Sequence, residues 1–193
     1  MRTWKTDAPT RPRGAGILRP ALVAVCVLVP FLVPALAAEP QFDIQGFTLR
    51  ITNAEGVVTH VLRGERMQQF DEIGVQHAEK PRLELMTEGR LDWIWTAPAA
   101  VHYPADQRLV LIGRTEGLQL PGPQNPRTDI ESEDVTVLTG TREVLTDARA
   151  TLTRPGLVMT GIGMHADATT EIIELRSEVN TVYSPDETQE QPQ

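Results

Sequence analysis

The chain has a single cysteine, Cys26, so no internal disulfide can form. Val25, a branched residue, precedes it, whereas a lipidation site wants a small residue there, so Cys26 reads as a small hydrophobe in an apolar run. Histidine is sparse too, at four residues. His60, His77, His102 and His165 are scattered with no ligand spacing between any two, and a zinc site needs three or four ligands. The serines are Ser132, Ser177 and Ser184, and none sits in a G-x-S-x-G elbow. The acids Asp129, Glu131, Glu133 and Asp134 read as a solvated run in a polar loop rather than a paired-carboxylate centre. No enzyme, no cofactor and no metal is expected from this inventory.

Positive charge is also outnumbered over most of the chain. The formal net charge is −8, but residues 1–19 hold five basic residues and one acid. The remainder therefore has 13 basic and 25 acidic residues, a net of −12. Nucleic acid is excluded as a partner, because it demands a basic face.

Only one long apolar run occurs, ALVAVCVLVPFLVPALAA at residues 21–38. It reaches the length of a spanning helix, which Pro30 and Pro34 would bend without forbidding. Basic residues before it put the N-terminus in the cytoplasm. Ala35-Leu36-Ala37 is an A-x-A pattern, the mark of a cleavable secretory signal. The residues leave anchor and cleaved signal equally open; both export the rest of the chain.

Convincing helical periodicity is absent beyond that run, and fifteen prolines and fourteen glycines suit strands and turns. FTLRIT (47–52), NAEG and VVTHVL (57–62) read as a hairpin. RLDWIWTA (90–97) alternates, placing Leu91, Trp93 and Trp95 on one face. RLVLIG (108–113) reads as a buried strand closed by its glycine. DVTVLTG (134–140), EVLTDARATLTR (143–154), GLVMTGIGM (156–164) and TEIIELRSEVNTVY (170–183) complete the set of strands. PGPQNPR (121–127) is a loop, and the tail from residue 184 is polar, acidic and expected to be disordered. A degenerate recurrence starts at Ala100, Asp134 and Ala166, spacings that fit copies of a two-stranded unit.

GIGMHAD (161–167) carries three conflicting signals. With Ala166 it fits a dinucleotide fingerprint, but no helix comes after it to hold a pyrophosphate. His165 and Asp167 share a strand face, as a metal pair or an acid/base dyad would. The preferred reading is a bent strand running into a polar turn.

In order and spacing these features resemble the LptC family, the bitopic inner-membrane component of lipopolysaccharide export. The likeness runs from Phe47 to Tyr183, through KPRLELMTEGRLDWIWTAPAAVHYPADQRLVLIGRTEGLQL, RTDIESEDVTVLTGTREVLTD and RPGLVMTGIGMHADATTEIIELRSEV. The family's features fall on Pro81, on Trp95 to Ala97, on Leu109 to Gly113, on Thr128, on Val144 to Asp147 and on Gly156. The resemblance implies an all-β domain, an antiparallel β-jellyroll-like open sandwich with a shared groove, preceded by one transmembrane helix. It favours the anchor and sets the boundaries as a basic cytoplasmic segment (1–19), anchor (20–38), linker (39–46), periplasmic domain (47–183) and tail (184–193). It implies that the chain takes lipopolysaccharide from the permease subunits of an inner-membrane ATP-binding-cassette transporter to a periplasmic bridge protein of the same fold. The expected lipid contacts are Trp95, Leu109, Leu111, Val137, Leu157, Met159 and Met164. The expected partner edge is Ile172, Ile173, Leu175, Val179 and Val182, with Gly156 setting a bend. A scaffold that never touches lipid and a soluble relative with a cleaved signal are the alternatives.

Overall fold

A computed structural model describes residues 40–70, 74–122 and 125–184. The expected cytoplasmic segment, the anchor, the Ala35-Leu36-Ala37 site and residues 185–193 lie outside the described residues. Among those described, no helix is long and apolar enough to cross a membrane.

Eleven strands form one antiparallel sheet: β1 (Phe42–Thr52), β2 (Val58–Gln69), β3 (Gln76–Glu79), β4 (Arg82–Thr87), β5 (Arg90–Thr96), β6 (Ala99–Tyr103), β7 (Arg108–Gln119), β8 (Thr128–Leu138), β9 (Glu143–Arg154), β10 (Leu157–Asp167) and β11 (Ile172–Tyr183). The expected 47–62 hairpin is present but longer. Its first strand begins at Phe42, inside the expected linker, because Phe42 to Gln45 pair with Gln69 to Arg66. Asn53 closes the turn: its side chain accepts from the Val57 amide and its carbonyl from the Gly56 amide.

A line of backbone irregularities folds this sheet in half. Gly46, Lys80, Gly113, Asp134, Gly163 and Glu178 all have positive φ. The pairing register shifts beside four of them, between Leu111 and Arg114, Glu131 and Thr136, Thr160 and Ile162, and Ile162 and Met164. Such bulges bend a strand and re-aim its continuation. On one side of the line, β4 and β5 join His60–Arg63 of β2 to Glu116–Gln119 of β7. On the other, β3 and β6 join Arg66–Gln69 of β2 to Arg108–Ile112 of β7. The chain crosses at Lys80-Pro81 and Ala97-Pro98, where the Lys80 amide donates to the Pro98 carbonyl at 2.9 Å. Gly113, expected to end a strand, is instead the bend in a strand that continues to Gln119.

The two half-sheets pack on one apolar core. Trp93, Trp95, Ile130 and Leu152 from one half join Leu109, Leu111, Val137 and Met164 from the other. Trp93 and Trp95 stack with centroids 6.0 Å apart and rings 5° from parallel. The acidic run lies on β8 rather than in a loop, and two of its charges are paired: Asp129 with Arg127 and Glu131 with Arg114.

Candidate functional site

The expected lipid contacts converge. Trp95, Leu109, Leu111, Val137 and Met164 are at most 1% exposed and share the core; Met159 is half-buried against it, and Leu157 is half-buried at the start of β10. The interior they form is closed and filled in this structure rather than an open groove. It is not uniformly apolar, however. Trp93 Nε1, Trp95 Nε1 and both side-chain polar atoms of Gln119 are buried with no hydrogen-bond partner among the described residues. Trp93 and Gln119 are direct cross-strand partners, so these groups share a patch of wall. Each unpaired buried group costs about 1–3 kcal/mol. Gln119→Leu is therefore expected to stabilise the free chain by about 1 kcal/mol, read by urea unfolding, and to weaken capture of any ligand bearing carbonyl or amide groups.

The expected partner strand is an edge. Among the described residues β11 pairs with β10 alone, along nine register positions from Asp167↔Ile172 to Leu157↔Tyr183. Its residues divide by side. Ile173 and Leu175 pack toward the core, whereas Ile172, Val179 and Val182 are 56%, 51% and 56% exposed. Gly156 sits in the β9–β10 turn with φ +70°, and an added Cβ would lie 3.0 Å from the Ser184 carbonyl oxygen. Its own carbonyl accepts from the Ser184 amide at 2.9 Å, tying down the end of β11. A side chain there would be strained and would push on that end.

GIGMHAD is the bent strand. Gly161 and Gly163 lie within β10, and the chain proceeds to strand β11 rather than to a helix. His165 Nε2 lies 3.2 Å from Glu143 Oε1. Asp167 accepts from the Thr169 and Thr170 amides, and those bonds hold its carboxyl below the usual range. Both residues thus organise the β9–β10 pairing and the β10–β11 turn.

Sequence reasoning missed a second feature. The hairpin tips of β6–β7, β8–β9 and β10–β11, which carry the degenerate recurrence, converge with the β1–β2 turn around a cavity of about 740 Å³. Its walls include His60, His102, Gln107, Thr139, Arg142 and Thr169. His60 and His102 are far apart in sequence, so only the fold brings them to one wall. Burial and then the neighbouring Arg142 charge pull His60 down to about 4; burial also lowers His102. Unfolded histidine takes up a proton near 6.5, folded His60 only near 4. The unfolded state therefore binds more protons between those values, and stability falls as pH drops through that window and levels off below it. The loss attributable to His60 is about 3 kcal/mol. Denaturant titrations at neutral and mildly acidic pH should show this loss reduced in His60→Gln.

Among the described residues, few polar contacts tie the two sets of strand ends together. Arg142 Nη2 donates to Thr87 Oγ1 at 2.7 Å, Asn125 Nδ2 donates to Glu171, and Arg90 lies 3.6 Å from Glu171.

The family described as lipopolysaccharide-assembly, LptC-related, matches residues 31–184. No curated protein sequence matches the chain. Among solved structures, the chain is similar to LptH from Pseudomonas aeruginosa, described as the LptA-homologous periplasmic component of the conserved lipopolysaccharide transport device. The TM-score is 0.52 at 14% identity, over 65% of this chain and 95% of that one. That likeness concerns the fold.

Proposed function

Because the chain belongs to the LptC-related family of lipopolysaccharide assembly, we propose that it carries lipopolysaccharide outward from the inner membrane without altering it. Residues 20–38 anchor it, permease subunits of an ATP-binding-cassette transporter supply the lipid, and the β-domain in the periplasm holds the acyl chains between its half-sheets. The acceptor is a periplasmic protein of the same fold, docking on β11. The observation that carries this reading is the nature of that edge. β11 bends at Glu178 and so runs along both half-sheets. A strand added to it by main-chain hydrogen bonds would extend both walls at once, and an acyl chain would pass between proteins without entering water.

The closed interior sets the mechanics. Lipid entry requires the half-sheets to part at their strand ends, where the Thr87, Glu171 and Asn125 contacts are polar and partly exposed and each contributes at most about 1 kcal/mol. Burial of acyl methylenes returns about 0.8 kcal/mol for each CH₂. The unpaired indole N–H groups and Gln119 give such chains' linking carbonyls a partner inside.

The filled core also favours a second reading, a scaffold that joins transporter to acceptor without touching lipid. Reconstituted transfer separates the two. The full chain in vesicles with fluorescent lipopolysaccharide should pass it to a soluble acceptor of the same fold at a rate that rises with chain concentration. A chain that binds the acceptor but never holds labelled lipid is the scaffold.

A further inference from the structure

The cavity at the hairpin tips has a composition unlike the rest of the molecule. The chain carries 26 acidic residues, yet no carboxylate among the described residues lines this cavity. Arg142, one of its walls, donates to Thr87 and makes no ion pair among the described residues, and its Nε is buried without a partner. His60 is 1% exposed, and its Nε2 is likewise buried and unpartnered.

The hydrogen bonds around His60 permit a tautomer that suits a ligand. Thr59 Oγ1 donates to the Ile51 carbonyl at 3.2 Å, which uses its one hydrogen. The Thr59 hydroxyl can instead turn to His60 Nδ1, 2.8 Å from the same oxygen; with its hydrogen on the carbonyl, Nδ1 is the donor of that pair. In neutral imidazole this leaves Nε2 as a bare acceptor. Set in this wall are a guanidinium without an anion and, beside it, an imidazole nitrogen without a partner, the Nε of the one and the Nε2 of the other covered from solvent, with Thr139, Thr169 and Gln107 also lining the cavity.

We propose that this cavity binds an oxyanion carried on a hydroxylated scaffold, the chemistry of a sugar phosphate, with Arg142 taking the oxyanion and His60 Nε2 a hydroxyl proton. The proposal deepens the carrier reading, on which it rests for the lipid that bears the group: acyl chains between the half-sheets would leave their polar end at the strand ends, where this cavity opens. A free sugar phosphate and a lipid headgroup share this chemistry.

The test uses the full chain in nanodiscs and three soluble probes: glucosamine 1-phosphate, glucosamine and inorganic phosphate. Glucosamine 1-phosphate is expected to bind about tenfold more tightly than either of the others, and Arg142→Gln to remove about that factor for it while leaving glucosamine unchanged. Should that variant fold poorly, the unmodified chain still decides. On binding glucosamine 1-phosphate, the His60 imidazole followed by NMR should titrate upward from about 4, because the oxyanion offsets the Arg142 charge. Phosphatase-treated lipopolysaccharide binding less well than intact lipopolysaccharide would identify the headgroup as the source; equal binding would assign the site to free sugar phosphates. Equal affinity for glucosamine and its phosphate, or for the sugar phosphate and inorganic phosphate, overturns the proposal, as does an unmoved His60. Lipid adducts inside the core with no sugar phosphate binding would leave the carrier reading intact and this site refuted. The reverse result would do the opposite.

Discussion

Trp95→Ala is expected to lower the unfolding free energy by about 4 kcal/mol, with a loss of similar sign and about 2 kcal/mol for Gly117→Val. The two substitutions probe one contact from both sides. Trp95 is fully buried and stands opposite Gly117 across β5 and β7. A Cβ built on Gly117 would lie 2.4, 2.6 and 2.8 Å from three carbons of that indole. The ring cannot swing aside, because Trp93 stacks on it and core residues surround it. Alanine at Trp95 leaves a cavity; valine at Gly117 forces an overlap in a core with no slack. The double variant should cost clearly less than the sum, since the smaller side chain makes room for the larger one. Equilibrium unfolding of the four chains measures this directly, and strict additivity would show that the contact does not organise the core.

The second large effect concerns β11. A proline scan along Ile172–Tyr183 should give results that alternate with a period of two on each side of Glu178, the phase reversing across the bulge there. In an antiparallel edge strand, amides point by turns toward the neighbour and toward open solvent. Proline at an inward amide removes a bond to β10 and should cost about 1–3 kcal/mol of stability. Proline at an outward amide leaves that ladder intact. It should instead lower acceptor binding by about tenfold or more, since the added strand loses a partner and meets the ring. Melting curves and acceptor pull-down on the same variants check both phases. Proline variants that all bind the acceptor normally would remove β11 as the docking edge.

How much of the fold is legible in the chain depends on how local the signals are. The alternation of Leu91, Trp93 and Trp95 predicts one buried face, and Asn53 with Gly56 predicts a turn, because each depends on neighbours only. The short strands β3, β4 and β6 give no such signal. In RLELMT the middle glutamate, Glu84, is nearly buried, held by Arg63 at 2.9 Å and Arg82 at 3.1 Å, which erases the alternation. The fold line is equally hidden. Lys80, Asp134 and Glu178 adopt positive φ without being glycines, so nothing in the sequence marks them as bends. Gly113 is visible but ambiguous, since a glycine closing an apolar run signals an end as readily as a bend. Except for Leu157, the expected interior residues meet in or against one core because strand alternation directs them there. The cavity walls do not announce themselves: His60, His102 and Arg142 come from three separate hairpins, and only the folded sheet brings their tips together.

The central claim is that acyl chains lodge between the half-sheets. Photoreactive side chains placed at Leu111 and Met164 in the full-length protein, with Ile112 on the outer face as the comparison, test it most directly in lipopolysaccharide-containing vesicles with an active transporter. The account predicts energy-dependent lipid adducts at the two interior positions and none at Ile112. Adducts confined to Ile112, or none anywhere while the acceptor still docks, would contradict it.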